Sequence, residues 1–247
     1  MEFSLEALAL ASLVVALAYV AFGLTGFGST VIALPLLAHA MPLKFAVPML
    51  MLLDLVATFS FGMRFRKGIR FDEFAWLVPF LLAGMALGLT VLIRVAERPL
   101  LAVLGVFVLA YAAYGFARRG VPPRLARAWC APIGIAGGAF SALFGTGGVL
   151  LAIYNAGRLP DKNQLRATNA AGIMFTSLVR VLLFGATGLL AQDNLLLMAG
   201  CLVPAMFAGI LVGSRLHTMV PAATVVRVLY GILIVSGSAL LARAWGQ

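Results

Sequence analysis

The chain has 247 residues, 63% hydrophobic and only 11% charged, with a mean hydropathy of +1.09 and a formal net charge of +10. A water-soluble domain of this length could not cover so much apolar surface. The positive charge does not indicate nucleic acid either, because Lys and Arg fall in short segments between apolar runs, the distribution that orients membrane proteins.

Apolar stretches near the length of a bilayer core recur throughout and predict an all-α, polytopic membrane bundle. Barrel strands would alternate polar and apolar residues, which these do not. Ten helical pieces are expected, at 3–24, 28–38, 44–63, 73–93, 98–116, 129–144, 147–157, 164–187, 194–214 and 221–242. The first carries Glu2 and Glu6 where a signal peptide would be basic, and its apolar run continues into a glycine-rich break, so it reads as a retained membrane segment. That break is Gly26-Phe27-Gly28-Ser29-Thr30. The second piece, roughly eleven residues long, reaches only about 16 Å and cannot cross a ~30 Å core. The third holds Asp54 amid apolar residues and leads into Arg64, Arg66, Lys67 and Arg70. The fourth contains Gly84-Met85-Ala86-Leu87-Gly88, and the fifth is followed by Arg118, Arg119, Arg124 and Arg127. The sixth runs into a second break, Gly145-Thr146-Gly147-Gly148, and the seventh is again too short to span. Arg158, Lys162 and Arg166 precede the eighth piece, which carries Thr168, Asn169, Thr176, Ser177 and Arg180. The ninth contains Gly209-Ile210-Leu211-Val212-Gly213.

The second break lies 119 residues after the first, and other features recur at similar offsets: Pro42-Leu43-Lys44 with Pro160-Asp161-Lys162, and Val78-Pro79 with Val203-Pro204. This predicts two repeats of about five pieces, 1–116 and 129–247, joined by a basic cytoplasmic linker at 117–128. Their loop charges are exchanged. The segment after the third piece is basic, whereas its counterpart, Ala186 to Asn194, has no Lys or Arg; the loop after the short piece has only Lys44 in the first half but three cations in the second. Exchanged charge implies opposite orientation. The cation-poor side would hold Lys44, Arg94, Arg98 and Arg243, which puts both termini outside the cytoplasm.

Paired broken helices at matching points of two half-chains point to the binding site of a secondary transporter. Glycine lets the backbone leave the helix, and the helix that restarts presents free N–H groups and a positive dipole end, which favour an anion. The candidate binding residues are therefore Gly26, Gly28, Ser29, Thr30, Gly145, Thr146, Gly147 and Gly148, with the hydroxyls as added donors. Arg180 is costly to bury and suits an oxyanion, and Asn169 shares its helix face. Asp54 is expected either to take a coupling proton or to fix Arg180 in a structural pair. The two GxxxG motifs read as close helix contacts. Cys130 and Cys201 read as core residues. His39 and His217 are isolated near helix ends, and no Walker loop, HExxH or GxSxG occurs, so neither an enzyme nor a cofactor or metal site is expected.

The Gly26-Phe27-Gly28-Ser29 stretch running to Pro35, the related Gly145-Thr146-Gly147-Gly148, and the basic Arg158–Arg166 loop leading into Thr168-Asn169 resemble the TauE/SafE family of sulfite exporters and sulfonate-uptake-type permeases, over nearly the whole chain. The first break departs from the family's fuller glycine run, and Tyr154 stands at the counterpart of Pro35. The resemblance implies a bacterial inner-membrane protein moving sulfite, sulfonates or related small anions. The expectation is a secondary transporter, an exporter by the family's name, of a small sulfur-containing or organic oxyanion, working by alternating access in the lipid bilayer. A non-transporting assembly subunit and an anion channel are the alternatives, and the GxxxG faces leave a homodimer open.

Overall fold

The computed structural model describes residues 5–25, 28–62, 68–117, 124–219 and 222–245. Among the described residues there is no strand, and ten α-helices follow the predicted pieces one for one. They are α1 (Leu5–Thr25), α2 (Ser29–Leu37), α3 (Leu43–Gly62), α4 (Phe71–Arg94), α5 (Glu97–Ala117), α6 (Cys130–Phe144), α7 (Gly147–Arg158), α8 (Lys162–Ala186), α9 (Leu195–Met219) and α10 (Ala222–Trp245). A 3-10 turn at Arg127–Trp129 leads into α6. Among the described residues, six segments are long and apolar enough to cross a membrane: Glu6–Leu24, Leu43–Ser60, Phe71–Arg94, Glu97–Ala117, Ala167–Ala186 and Leu195–Leu216. The chain is a multi-pass helical membrane protein. Half of the expected linker, 118–123, and Gly26 of the first break lie outside the described residues.

Local chemistry sets the breaks. Gly145 closes α6 with a left-handed φ of 72°, a conformation that favours glycine. The N–H of Gly145 donates to the Ser141 carbonyl at 2.9 Å and that of Thr146 to the Phe140 carbonyl at 3.3 Å, so these two carbonyls in the last turns of α6 are partnered. Gly28, with φ 91°, stands before α2 in the same way. With nine and twelve residues, α2 and α7 extend only about 14 and 18 Å. Each folds back beside the helix before it, α2 on α1 and α7 on α6.

Helix pairing repeats across the chain. Helix α4 lies along α6 and α9 lies along α1, while α5 pairs with α10 and α3 with α8. The GxxxG motifs make the first two pairings possible. A Cβ on Gly84 or Gly88 would overlap the carbonyl oxygen of Ile135 or Ala139, and one on Gly209 or Gly213 that of Ala16 or Val20. The glycines of the two motifs are 125 residues apart and the carbonyls they meet are 119 apart, so both contacts have the same design.

The core is built mainly from α1, α2, α3, α5 and α9, with Tyr19, Leu34 and Leu50 enclosed together with Phe144 of α6 and Phe184 of α8. Leu10, Leu13 and Leu17 of α1, Leu87 and Val91 of α4, and Leu196 and Leu211 of α9 are exposed, as lipid-facing positions are. Cys130 is buried, but Cys201 is exposed on α9, which corrects its reading as a core residue. An apolar run in a membrane helix reveals nothing about direction, since lipid and core accept the same side chain.

Candidate functional site

The two breaks meet at one cavity. It is lined by Gly28, Ser29 and Thr30 at the start of α2 and by Gly145, Thr146 and Gly148 at the start of α7, and enclosed by Asp54 and Thr58 of α3, Ser141 of α6, and Thr176 and Arg180 of α8. The space open to the centre of a water-sized sphere is about 30 Å³, room for roughly two waters or one small ion.

The glycines do different work there. Gly28 has a left-handed φ and nothing within 4 Å of where a Cβ would lie, so its backbone faces open space. Gly145 is left-handed too, but a Cβ there would stand 2.7 Å from Thr30 Cγ2 and 2.9 Å from Arg180 Nη1. The end of α6 therefore packs closely on α2 and α8 at this point. Gly148 faces Ile173 of α8. Gly147 does not line the cavity. A Cβ there would overlap the Gly137 carbonyl oxygen and come 2.7 Å from Ser141 Cβ, so its smallness lets α7 lie against α6. Neither Gly28 nor Thr146 places a side-chain cap on the helix it precedes, which leaves the first N–H groups of α2 and α7 to other partners.

Two buried charges face the cavity. Asp54 is 6% exposed. Its Oδ1 accepts from the Tyr19 hydroxyl at 2.7 Å and from Ser29 Oγ at 2.9 Å, and its Oδ2 accepts from Thr30 Oγ1. Arg180 is 2% exposed and donates from Nη2 to Ser177 Oγ at 3.2 Å, one turn earlier in α8. Its Nε and Nη1 are buried with no hydrogen-bond partner, as are Thr146 Oγ1 and Thr58 Oγ1. Among the described residues Asp54 is satisfied by hydroxyls and makes no ion pair with Arg180. The site thus holds a cation with free donors, two helix N-termini and a hydroxyl-saturated carboxylate. This suits an oxyanion.

The family model described as Sulfite exporter TauE/SafE matches residues 11–240, nearly the entire chain. The chain belongs to the TauE/SafE family. That membership makes it a membrane transporter of the class that handles sulfite and other sulfur anions, and TauE/SafE proteins are transporters, not enzymes. No curated protein and no solved structure matches.

Of the residues predicted for the site of this TauE/SafE chain, Gly28, Ser29, Thr30, Gly145, Thr146, Gly148, Arg180 and Asp54 share the cavity wall. Asn169 does not. Its Oδ1 accepts from Asn155 Nδ2 at 2.6 Å, tying α8 to α7 about two turns beyond the α7 N-terminus. Thr176 lines the cavity but donates to the Ile173 carbonyl of its own helix at 3.0 Å, as membrane threonines commonly do. Tyr19 was not anticipated, although a phenol inside an apolar helix signals a buried partner. Ser141 and Thr58 carried no signal beyond small polarity in an apolar run.

A second polar cluster sits at the far end of α7. Glu73, 4% exposed, accepts from Arg127 Nη2 at 2.9 Å and from Arg158 Nη2 at 2.5 Å. Arg158 Nη1 also donates to the Leu125 carbonyl at 3.2 Å, and the Leu125 N–H to the Gly157 carbonyl at 3.0 Å. The Glu73 carboxylate holds the Arg158 guanidinium above its ordinary pKa, chiefly through their hydrogen bond. Two cations of the basic loops in this TauE/SafE protein therefore anchor α4, the segment before α6, and α7 to one another.

Proposed function

We propose that this TauE/SafE protein is a secondary transporter of a small sulfur-containing or organic oxyanion, such as sulfite, a sulfonate or sulfoacetate, in the bacterial inner membrane. The observation that carries this is Arg180: a fully enclosed guanidinium with Nε and Nη1 unpartnered, facing a cavity at the starts of α2 and α7. Leaving buried charged donors unmade is costly, and an anion in the cavity would satisfy them. Backbone amides at the two helix starts, Thr146 Oγ1 and Arg180 would hold the ligand's oxygens. Asn169 would act one step removed, fixing α8 against α7.

The matching contacts of α4 with α6 and α9 with α1 support two related halves, and the exchange of basic loops supports their opposite orientation, with both termini outside. Alternating access would then be one half rocking against the other around a central site, with export as the family's name suggests. An assembly subunit with breaks packed solid would have no cavity, so the cavity favours transport over that reading. Saturable flux with counter-transport would separate a carrier from an anion channel.

The test is flux in proteoliposomes across sulfite, sulfoacetate, taurine and thiosulfate. Wild type should carry at least one, and Arg180→Gln should weaken its apparent affinity by about 10- to 100-fold, the worth of a charge-assisted pair. No flux of any probe, or unchanged flux in Arg180→Gln, sinks the proposal.

A further inference from the structure

The anion leaves one group in the cavity unexplained. Asp54 is a second buried charge, and the hydrogen atoms around it can be counted. The hydroxyls of Tyr19, Ser29 and Thr30 each carry one proton, and all three donate to Asp54. A carboxylate in that state accepts only. Adding a proton to it creates a new donor within a ring of hydroxyl oxygens, so one of them must accept it and turn its own hydrogen elsewhere. Tyr19 lies outside the cavity wall, whereas Ser29 and Thr30 are part of it. Where the accepting oxygen is that of Ser29 or Thr30, the displaced hydrogen can turn into the cavity, where an anion would accept it.

Charge leads to the same result. Among the residues lining the cavity, Asp54 and Arg180 are the ones that ionise. The groups facing Asp54 are Tyr19 from α1 and Arg180 from α8; α2 contributes hydroxyls, and from α9, which also packs on α3, no ionisable residue lines the cavity. Empty, the carboxylate and guanidinium balance. Adding an anion leaves an uncompensated negative charge in a low-dielectric enclosure, which is strongly unfavourable. One proton on Asp54 restores neutrality.

We propose that Asp54 is the proton-binding site of this carrier, so that each anion is taken up together with a proton, the anion on Arg180 and the proton on Asp54. The inference rests on the oxyanion site proposed above. No bond other than O–H is made: the proton comes from water on the side to which the cavity is open and leaves with the anion on the other. Ser29 and Thr30 connect the two events, donating to Asp54 when the site is empty and, one of them, to the anion when it is full.

Coupling of this kind is reciprocal. Anion affinity should rise about tenfold per unit fall in pH, until Asp54 is protonated in the empty protein as well. The test uses purified full-length protein in detergent, with methanesulfonate and ethanesulfonate as probes because both are monoanions that do not titrate near neutral pH. Binding is measured calorimetrically in buffers of different ionisation enthalpy, which reports protons taken up per anion. Wild type should take up about one, and Asp54→Asn should bind with none and with affinity independent of pH. Wild-type binding without proton uptake overturns the proposal and leaves the anion site standing. Uptake that persists in an anion-binding Asp54→Asn places the proton elsewhere and overturns it too. Absence of binding by every probe removes the anion site, and this proposal falls with it. Should Asp54→Asn fail to fold, Asp54→Ser is measured in its place, with the same results expected and the same results overturning the proposal.

Discussion

Gly145 and Gly28 share a left-handed backbone, yet replacing them should not cost the same. Alanine at Gly28 meets open space and bears only the backbone penalty, about 1 kcal/mol. At Gly145 the same penalty is joined by contacts of 2.7 Å with Thr30 and 2.9 Å with Arg180, so Gly145→Ala should lose about 2–3 kcal/mol. Thermal unfolding of the detergent-solubilised variants compares the two, and equal losses would contradict this account. Arg180 and Asp54 were legible in the sequence because a charge inside an apolar run is expensive and needs a reason. Their relationship was not. A pairing of opposite charges is the economical guess from one dimension, but three hydroxyls reach Asp54 first, and which acceptor a hydroxyl chooses depends on a fold that brings residues 19, 29 and 54 together. Asn169 failed as a cavity residue for a related reason. It shares a helix face with Arg180, but α8 rises past the end of the cavity, and Asn155 lies opposite.

At the scale of elements, the small residues of the GxxxG motifs are packing devices, and their two copies should respond alike. Gly84→Ala and Gly209→Ala both force a Cβ into a backbone carbonyl that cannot move aside, and each should lose about 3 kcal/mol or more. Gly200→Ala, on the exposed side of α9 with nothing within 4 Å, should be neutral to within about 0.5 kcal/mol or slightly stabilising. Denaturation of the three variants in one detergent checks the contrast, and a fragile Gly200→Ala beside a tolerant Gly84→Ala would refute it. The ten helices were readable because membrane helices announce themselves by length and hydropathy, and the breaks by glycine. The direction each apolar side chain faces was not readable. Lipid does not select for polarity as water does, and Cys201 could be assigned to the wrong side without violating any pattern.

At the scale of the molecule, the charge distribution predicts the topology, and exposed positions can report it. With Cys130 and Cys201 replaced by serine, cysteine at Lys44 or Asp193 should react with an impermeant reagent added outside intact cells, and cysteine at Arg124 only after permeabilisation. Labelling of the Arg124 position from outside would invert the orientation. Glu73 belongs to this scale because it ties parts distant in sequence. Glu73→Gln leaves Arg127 and Arg158 facing a neutral amide, and a loss of about 2 kcal/mol is expected after allowing for the half-exposed Arg127, read by the same unfolding assay. The repeated pairing of α4 with α6 and of α9 with α1 has a further implication when set beside α3 and α8. These two helices are each other's counterparts across the pairing and lie side by side, yet one carries Asp54 and the other Arg180. The frame is duplicated and its centre is not. The centre therefore has a built-in polarity, with the acid on the α3 wall and the guanidinium on the α8 wall, so an asymmetric ligand would be held there in one orientation.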